Sequence, residues 1–150
     1  MRNRYSKPEV KQKHSERSKL LYSTSENFRS ESKLRGIKFY QSINGRARAL
    51  LNNARKAPIS KIFSCTVDLS YIVQQIENRI CPVTGIQFQL SNESEKKKNA
   101  YSPSIDRINS GEGYTNQNTR IVIWQYNLMK GELTDIEVIE ICKRVLERAS

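Results

Sequence analysis

The spacing of apolar residues along the chain predicts amphipathic helices in its first half. Ser42 is placed to cap a helix near 42–56 that ends at an Ala-Pro break. Asp68 is placed to cap a second helix near 68–79. The apolar face of that second helix consists of Leu69, Ile72, Val73 and Ile76, at the i, i+3, i+4 and i+7 spacing of a core-facing helix.

The pattern changes in the second half. Ser104 to Ile108 and Thr119 to Ile123 are short segments that combine apolar and polar residues, and ten residues with two glycines lie between them. This predicts two antiparallel strands with a connection too long for a tight hairpin turn. A short helix from Trp124 is expected to follow, and a capping box opens a last amphipathic helix near 134–148. An exposed loop is predicted over 91–101, where the residues show no periodicity.

Together these elements predict an α+β fold. Its centre is a β-β-α unit over residues 101–130, packed by the helices near 42–56, 68–79 and 134–148. At 150 residues, the chain is expected to hold one core with appendages.

Basic residues are concentrated at the N-terminus. The chain has 26 Lys and Arg against 15 Asp and Glu, and a formal charge of +11. Residues 1–38 contain eleven of the basic residues and four Glu, a net of +7. We therefore predict a basic arm over 1–38, flexible or helical only when bound, and a folded domain over 39–150. A polyanion such as nucleic acid is the expected partner, and a basic surface that only aids solubility is the alternative.

The remaining composition excludes several classes of protein. No segment reaches the roughly 18 to 20 apolar residues of a membrane helix, and the N-terminus lacks the apolar region of a signal peptide. No membrane partner and a cytoplasmic location are therefore expected. Three cysteines without a C-x-x-C pair support neither a disulfide framework nor a four-cysteine zinc site.

Asp106 and Asn127 are the candidate metal ligands. The order strand, loop, strand, helix can bring an acid on the first strand beside a residue on the following helix. Carboxylate and amide oxygens suit Mg²⁺ or Mn²⁺, which usually keeps several waters and takes only one or two protein groups. An isolated Asp and Asn would carry no signal, because such residues usually cap turns or face solvent.

The motif that contains these two residues is more specific. It reads Pro103-Ser-Ile-Asp106-Arg107-Ile, then Gly113-Tyr114, Asn118 and Trp124-x-x-Asn127-x-x-Lys130. This segment resembles the HNH, or His-Me finger, endonucleases, in particular the phage and bacterial members in which Arg follows the Asp. Upstream, Cys81-Pro-Val-Thr84-Gly85 resembles the lead-in of the same family, so that roughly residues 60–145 are covered.

The resemblance implies a ββα-metal fold and divalent-metal-dependent hydrolysis of double-stranded DNA in a bacterial or phage-infected cell. Asp106 is implied as a metal ligand, Asn127 as the metal ligand on the helix, and Asn118 as the residue that ties the connecting loop to the strands. Arg107 stands where most members have the histidine that acts as general base. The only histidine of this chain is His14, in the basic arm.

The group that activates the attacking water is therefore open between Tyr114 and the metal itself. Arg107 stays protonated and suits a phosphate clamp or charge stabiliser rather than a base. Tyr114 could orient or deprotonate water if a nearby cation lowers its pKa, whose reference value is near 10. Alternatively, Gly113-Tyr114 only packs the loop, and metal-bound hydroxide attacks unaided.

Four basic residues of the folded domain are predicted to contact DNA: Arg46, Arg48, Arg120 and Lys130. For the two arginines of the first helix, a solvated structural face is the alternative. A lysine at a helix end also complements the helix dipole without any substrate.

The expected function is a metal-dependent DNA endonuclease. The main rival is a catalytically inactive HNH-like protein that binds DNA or a partner protein, and the second is a basic RNA- or ribosome-associated protein. A homodimer would supply two active sites for cutting both strands, whereas a monomer could nick. The sequence reveals neither the recognition site nor a homing, restriction or phage-processing role.

Overall fold

A computed structural model of the chain describes residues 8–90 and 99–149. The exposed loop predicted over 91–101 lies largely outside these ranges, as do the first seven residues of the basic arm. Contacts between backbone positions divide the chain into two compact units, Met1–Lys38 and Phe39–Ser150.

The N-terminal region is helical where the structure describes it. Helix α1 spans Pro8–Thr24 and α2 spans Glu26–Gln41, and neither contains a buried residue. This differs from the prediction of an arm that is flexible or helical only when bound. The reason lies in composition: the segment is rich in Glu, Lys, Arg and Ser, and Gly36 is its only glycine, so few residues oppose a helix.

The next two helices form one wall of the core. Helix α3 spans Ile43–Lys56, and the Ser42 hydroxyl accepts a hydrogen bond from the Gly45 backbone N–H at 3.1 Å, which confirms the predicted cap. A short 3-10 turn follows at Pro58–Lys61, and α4 spans Leu69–Glu77. Asp68 does precede α4, but its carboxylate accepts a hydrogen bond from the Asn116 amide instead of capping the helix.

Two antiparallel strands follow, as predicted. Strand β1 spans Pro103–Arg107, and β2 spans Thr119–Ile123. The register pairs Ile105 with Ile121 and Asp106 with Arg120.

Helix α5, Trp124–Lys130, starts directly after β2, and α6 spans Asp135–Ala149. The capping box at the start of α6 is confirmed, because the Thr134 backbone N–H donates to the Glu137 carboxylate and the Glu137 N–H donates to the Thr134 hydroxyl.

The core lies between the sheet and the helices α3 and α4. It is built from aliphatic side chains of all four elements: Ala47, Leu50, Leu51, Ala54, Ile72, Ile76, Ile105, Ile121, Val122 and Ile123. The described residues thus form an α+β fold of six α-helices and one two-stranded sheet. Of these helices, none is both long and apolar enough to cross a membrane.

Candidate functional site

Asp106 sits at the centre of a buried charge cluster. It lies on β1 opposite Arg120 of β2, and its residue exposure is only 3%. The Arg120 Nε donates to Asp106 Oδ2 at 2.8 Å, and the Lys130 Nζ lies 3.3 Å from Asp106 Oδ1. Both carboxylate oxygens therefore already contact a cation from the protein itself.

The cluster continues from β2 to α5 and α6. The Arg120 guanidinium forms a two-pronged pair with Asp135, at 2.7 and 2.6 Å, and the Tyr126 hydroxyl donates to the same carboxylate at 2.5 Å. The hydrogen bonds that Arg120 donates lower the pKa of Asp135 to about 2, and the same bonds raise the pKa of Arg120. Burial raises the pKa of Tyr126, with the Asp135 hydrogen bond acting in the same direction.

The cluster thus contains two negatively and two positively charged side chains, whose charges balance. These side chains join β1, β2, α5 and α6. Sequence reasoning missed Asp135 and Tyr126 as members. The antiparallel register alone would place Arg120 opposite Asp106, but nothing in the spacing of Asp135 distinguishes it from an ordinary residue in the first turn of a helix.

The Lys130 side chain is buried inside the protein and does not reach solvent. Its residue exposure is 1%, and besides the contact with Asp106 its Nζ donates to the Arg107 carbonyl oxygen at 2.9 Å. The last turn of α5 packs onto the end of β1, which turns this side chain inward. In this structure Lys130 is bonded within the protein and is not exposed to a phosphate, so its contact with DNA stays a prediction.

Asn127 lies one helical turn before Lys130 and is half-buried against β1. Its amide nitrogen donates to the Ser104 hydroxyl at 2.8 Å and to the Ile105 carbonyl oxygen at 2.9 Å. The structure thus brings Asn127 beside the strand that carries Asp106, the adjacency expected from the order of elements. Both described bonds use the nitrogen and hold the side chain in place without engaging its oxygen.

The donor set does not fit a divalent ion in this arrangement. Asp106 and Asn127 offer hard oxygens, as Mg²⁺ requires. However, a magnesium ion with its waters would have to reach an almost fully buried carboxylate and compete there with Arg120 and Lys130. Within the described ranges, no group of three His, Cys, Asp or Glu side chains comes together to hold a metal.

Arg107 and Tyr114 are both engaged by the loop between β1 and β2. The Arg107 guanidinium donates to the carbonyl oxygens of Ser110 and Glu112, and its centre lies 5.6 Å from the centroid of the Tyr114 ring. Arg107 lowers the pKa of Tyr114, but burial is the larger effect and raises it overall. The Tyr114 phenol is thus less readily deprotonated here than free tyrosine, and the lowered pKa considered for it is not found.

Gly113 and Tyr114 pack the β1–β2 loop against the segment that precedes α4. The Tyr114 carbonyl oxygen accepts from the backbone N–H of Thr66 and Val67, at 2.8 and 3.1 Å. A Cβ on Gly113 would lie 2.7 Å from the Cβ of Phe63, so only glycine lets the two segments approach this closely.

Asn118 ties the β1–β2 loop together. Its amide nitrogen donates to the carbonyl oxygens of Asn109 and Gly113, both at 3.0 Å, and its amide oxygen accepts from the Asn109 N–H at 2.8 Å. The side chain is buried, so it acts on the loop backbone, and its predicted place among the catalytic residues amounts here to positioning.

The other three predicted DNA contacts, Arg46, Arg48 and Arg120, differ in how accessible their side chains are. Arg48 is exposed on α3 and is free to meet a phosphate. Arg46 is half-buried, and desolvation lowers its pKa. Arg120 belongs to the ion-pair cluster, and its 13% exposed side chain already has two carboxylate partners, so its contact with DNA stays a prediction.

Comparison with protein-family models, with curated proteins and with solved structures gives no match to this chain.

Proposed function

We propose that this chain is a DNA-binding protein of the HNH endonuclease type. The observation that supports DNA binding is the exposure of every basic residue described in the N-terminal unit. These residues are Lys11, Lys13, Arg17, Lys19, Arg29, Lys33, Arg35 and Lys38. Exposed cations of this density release counterions from a phosphate backbone, which is the main source of sequence-independent affinity for DNA.

The HNH assignment rests on the motif Asp106-Arg107 to Asn127 and on the order of β1, loop, β2 and α5. The antiparallel pair followed at once by a short helix is the arrangement that the resemblance implies. In this proposal the ion-pair cluster of Asp106, Arg120, Lys130 and Asp135 is a structural support of the ββα unit.

Gel-shift titration of duplex DNA at several salt concentrations tests the binding. Each phosphate contact contributes roughly 0.9 to the slope of log affinity against log salt. The double variant Lys13→Gln with Arg17→Gln should flatten the slope, and deletion of residues 1–35 should flatten it further. The matched control is Lys61→Gln with Arg79→Gln, which removes the same charge from exposed positions of the other unit.

Three outcomes would overturn the proposal. Equal slopes for the two double variants would mean that the N-terminal cations are not at the DNA. Absence of DNA binding at low salt would show that the protein does not have the proposed function. A strong preference for RNA over duplex DNA of the same length would favour the RNA-associated alternative.

Metal-dependent cleavage of DNA is the second candidate. The contact of Asn127 with β1 at Ser104 and Ile105 favours it, because the resemblance assigns a metal ligand to that position. Incubation of supercoiled plasmid with Mg²⁺, Mn²⁺ or chelator is the test. Nicking that needs metal and is lost in an Asp106→Asn protein that circular dichroism shows to be folded supports cleavage. Intact plasmid under all conditions, with DNA retained on a gel, leaves binding alone.

A further inference from the structure

Helix α6 carries an apolar surface that this structure leaves uncovered. Of its apolar residues only Val138 is buried, and from Lys143 to Ala149 every residue is exposed. Five large apolar side chains are between 49% and 79% exposed: Ile136, Ile139, Ile141, Val145 and Leu146. With 3.6 residues per turn, Ile136, Ile139 and Leu146 share one side of the helix, whereas Ile141 and Val145 lie on the opposite side, next to the buried Val138. The exposed apolar face of Ile136, Ile139 and Leu146 marks a contact surface.

The spacing on this helix is that of a helix-pairing seam. Ile136, Ile139, Lys143 and Leu146 follow at i, i+3, i+7 and i+10, the positions that two packed helices share. One lysine among three aliphatic residues is the kind of polar seam residue that restricts the number and register of paired helices. The α6 seam is therefore shaped for another helix.

The charges of α6 divide along its length. Among its first seven residues, Asp135 is held by Arg120 of the same chain, which leaves the exposed acids Glu137 and Glu140 and no base. The remaining eight, Cys142 to Ala149, contain three bases and one acid. Two copies of α6 in antiparallel orientation place the acidic half of each against the basic half of the other. A parallel pair would place like charges together.

We propose that two copies of this chain associate through α6, packed antiparallel about a twofold axis. In a twofold pair, the acidic half of each helix lies against the basic half of the other, because each residue contact occurs twice by symmetry. This inference is independent of DNA binding, since the apolar seam and the charge division belong to α6 alone.

Sedimentation equilibrium of the full chain without DNA tests the association. The wild type should be a dimer at micromolar concentration, and Ile139→Gln with Leu146→Gln should weaken the dimer at least about tenfold. Glutamine keeps a good helix propensity at both exposed sites, so the fold should persist by circular dichroism. Ile62→Gln is the control, because Ile62 is 75% exposed but lies outside α6.

A wild-type monomer up to about 100 μM would overturn the proposal, as would equal weakening by the Ile62 control. A monomer in which α6 resists proteolysis would mean that another segment of the same chain covers the seam.

Orientation is tested by disulfide cross-linking with Cys65→Ser and Cys142→Ser as background. A mixture of Ile136→Cys and Ala149→Cys proteins should yield the mixed cross-linked dimer, because antiparallel packing brings opposite helix ends together. Cross-linking within each variant alone and none between them would indicate a parallel pair and contradict the proposal.

Discussion

Lys130 and Asp106 form a buried ion pair that joins the end of α5 to β1, with Lys130 Nζ 3.3 Å from Asp106 Oδ1. The side-chain exposures are 0% and 3%. Arg120 supplies the second cation at 2.8 Å. A carboxylate removed from water this completely depends on its partners, because an unpaired buried charge is far more costly than a paired one.

Replacing Lys130 with Met should therefore destabilise the protein strongly. The change keeps the aliphatic volume and removes one of the two cations at Asp106, and breaking a buried pair in this way costs on the order of 3 kcal/mol. Urea unfolding measures the loss. Lys61→Met, at an exposed position outside both the cluster and α6, is the matched control and should stay within about 0.5 kcal/mol of the wild type.

A double-mutant cycle separates the ion pair from general packing. Asp106→Asn with Lys130→Met removes both partners, so its cost should be clearly smaller than the sum of the two single losses. Additive losses would show that the two side chains stabilise the fold independently and that the pair has no energetic role.

Divalent metal should leave the stability of the free protein unchanged. If Asp106 and Asn127 held Mg²⁺, a concentration one hundred times the dissociation constant would add about 2.7 kcal/mol. For a chain of this size that would raise the unfolding midpoint by roughly 5–10 °C. With both Asp106 oxygens already in contact with cations, we expect no rise in a thermal scan with magnesium or manganese, compared with chelator. A clear rise that Asp106→Asn abolishes would restore the predicted metal site.

Acid should weaken the cluster through Asp135. Its folded-state pKa of about 2 lies below the ordinary pKa of an aspartate, 3.8, mainly because Arg120 hydrogen-bonds to the charged form. A depressed pKa gives stability that is complete above the unfolded value and is lost as the pH falls through the folded one. The free energy of unfolding should therefore decline from about pH 4 towards pH 2.

Asp135→Asn should flatten that decline. Glu132→Gln removes the same charge from an exposed position outside the cluster and should keep the wild-type profile. Identical profiles for Asp135→Asn and the wild type would show that acid acts on the fold elsewhere.

Local pattern was sufficient to predict the elements of the fold. The cap at Ser42, the capping box at Thr134 and the two short strands each depend on neighbouring residues, and each occurs in the structure. The helices α1 and α2 were underestimated because their composition lacks an apolar face, the signal by which helices are usually found.

The site was harder to predict because its chemistry depends on distant contacts. A lysine at a helix end normally reaches solvent, and only the packing of α5 on β1 turns Lys130 inward. Whether Asp106 holds a metal or a protein cation is decided by Arg120 and Lys130, residues 14 and 24 positions further along the chain. The motif thus predicted that α5 meets β1, but it did not indicate that Arg120 and Lys130 pair with Asp106 inside the protein.

The close approach of the β1–β2 loop to the segment before α4 depends on the absence of a side chain at Gly113. A Cβ there would lie 2.7 Å from the Phe63 Cβ and 3.2 Å from the Ser64 carbonyl oxygen, so Gly113→Ala should force the segments apart and cost about 1–3 kcal/mol in urea unfolding. Gly36→Ala is the control, because nothing lies within 4 Å of its added Cβ and alanine favours the helix there. Equal stability of Gly113→Ala and the wild type would show that the loop can withdraw without loss, and the packing role assigned to Gly113-Tyr114 would then be wrong.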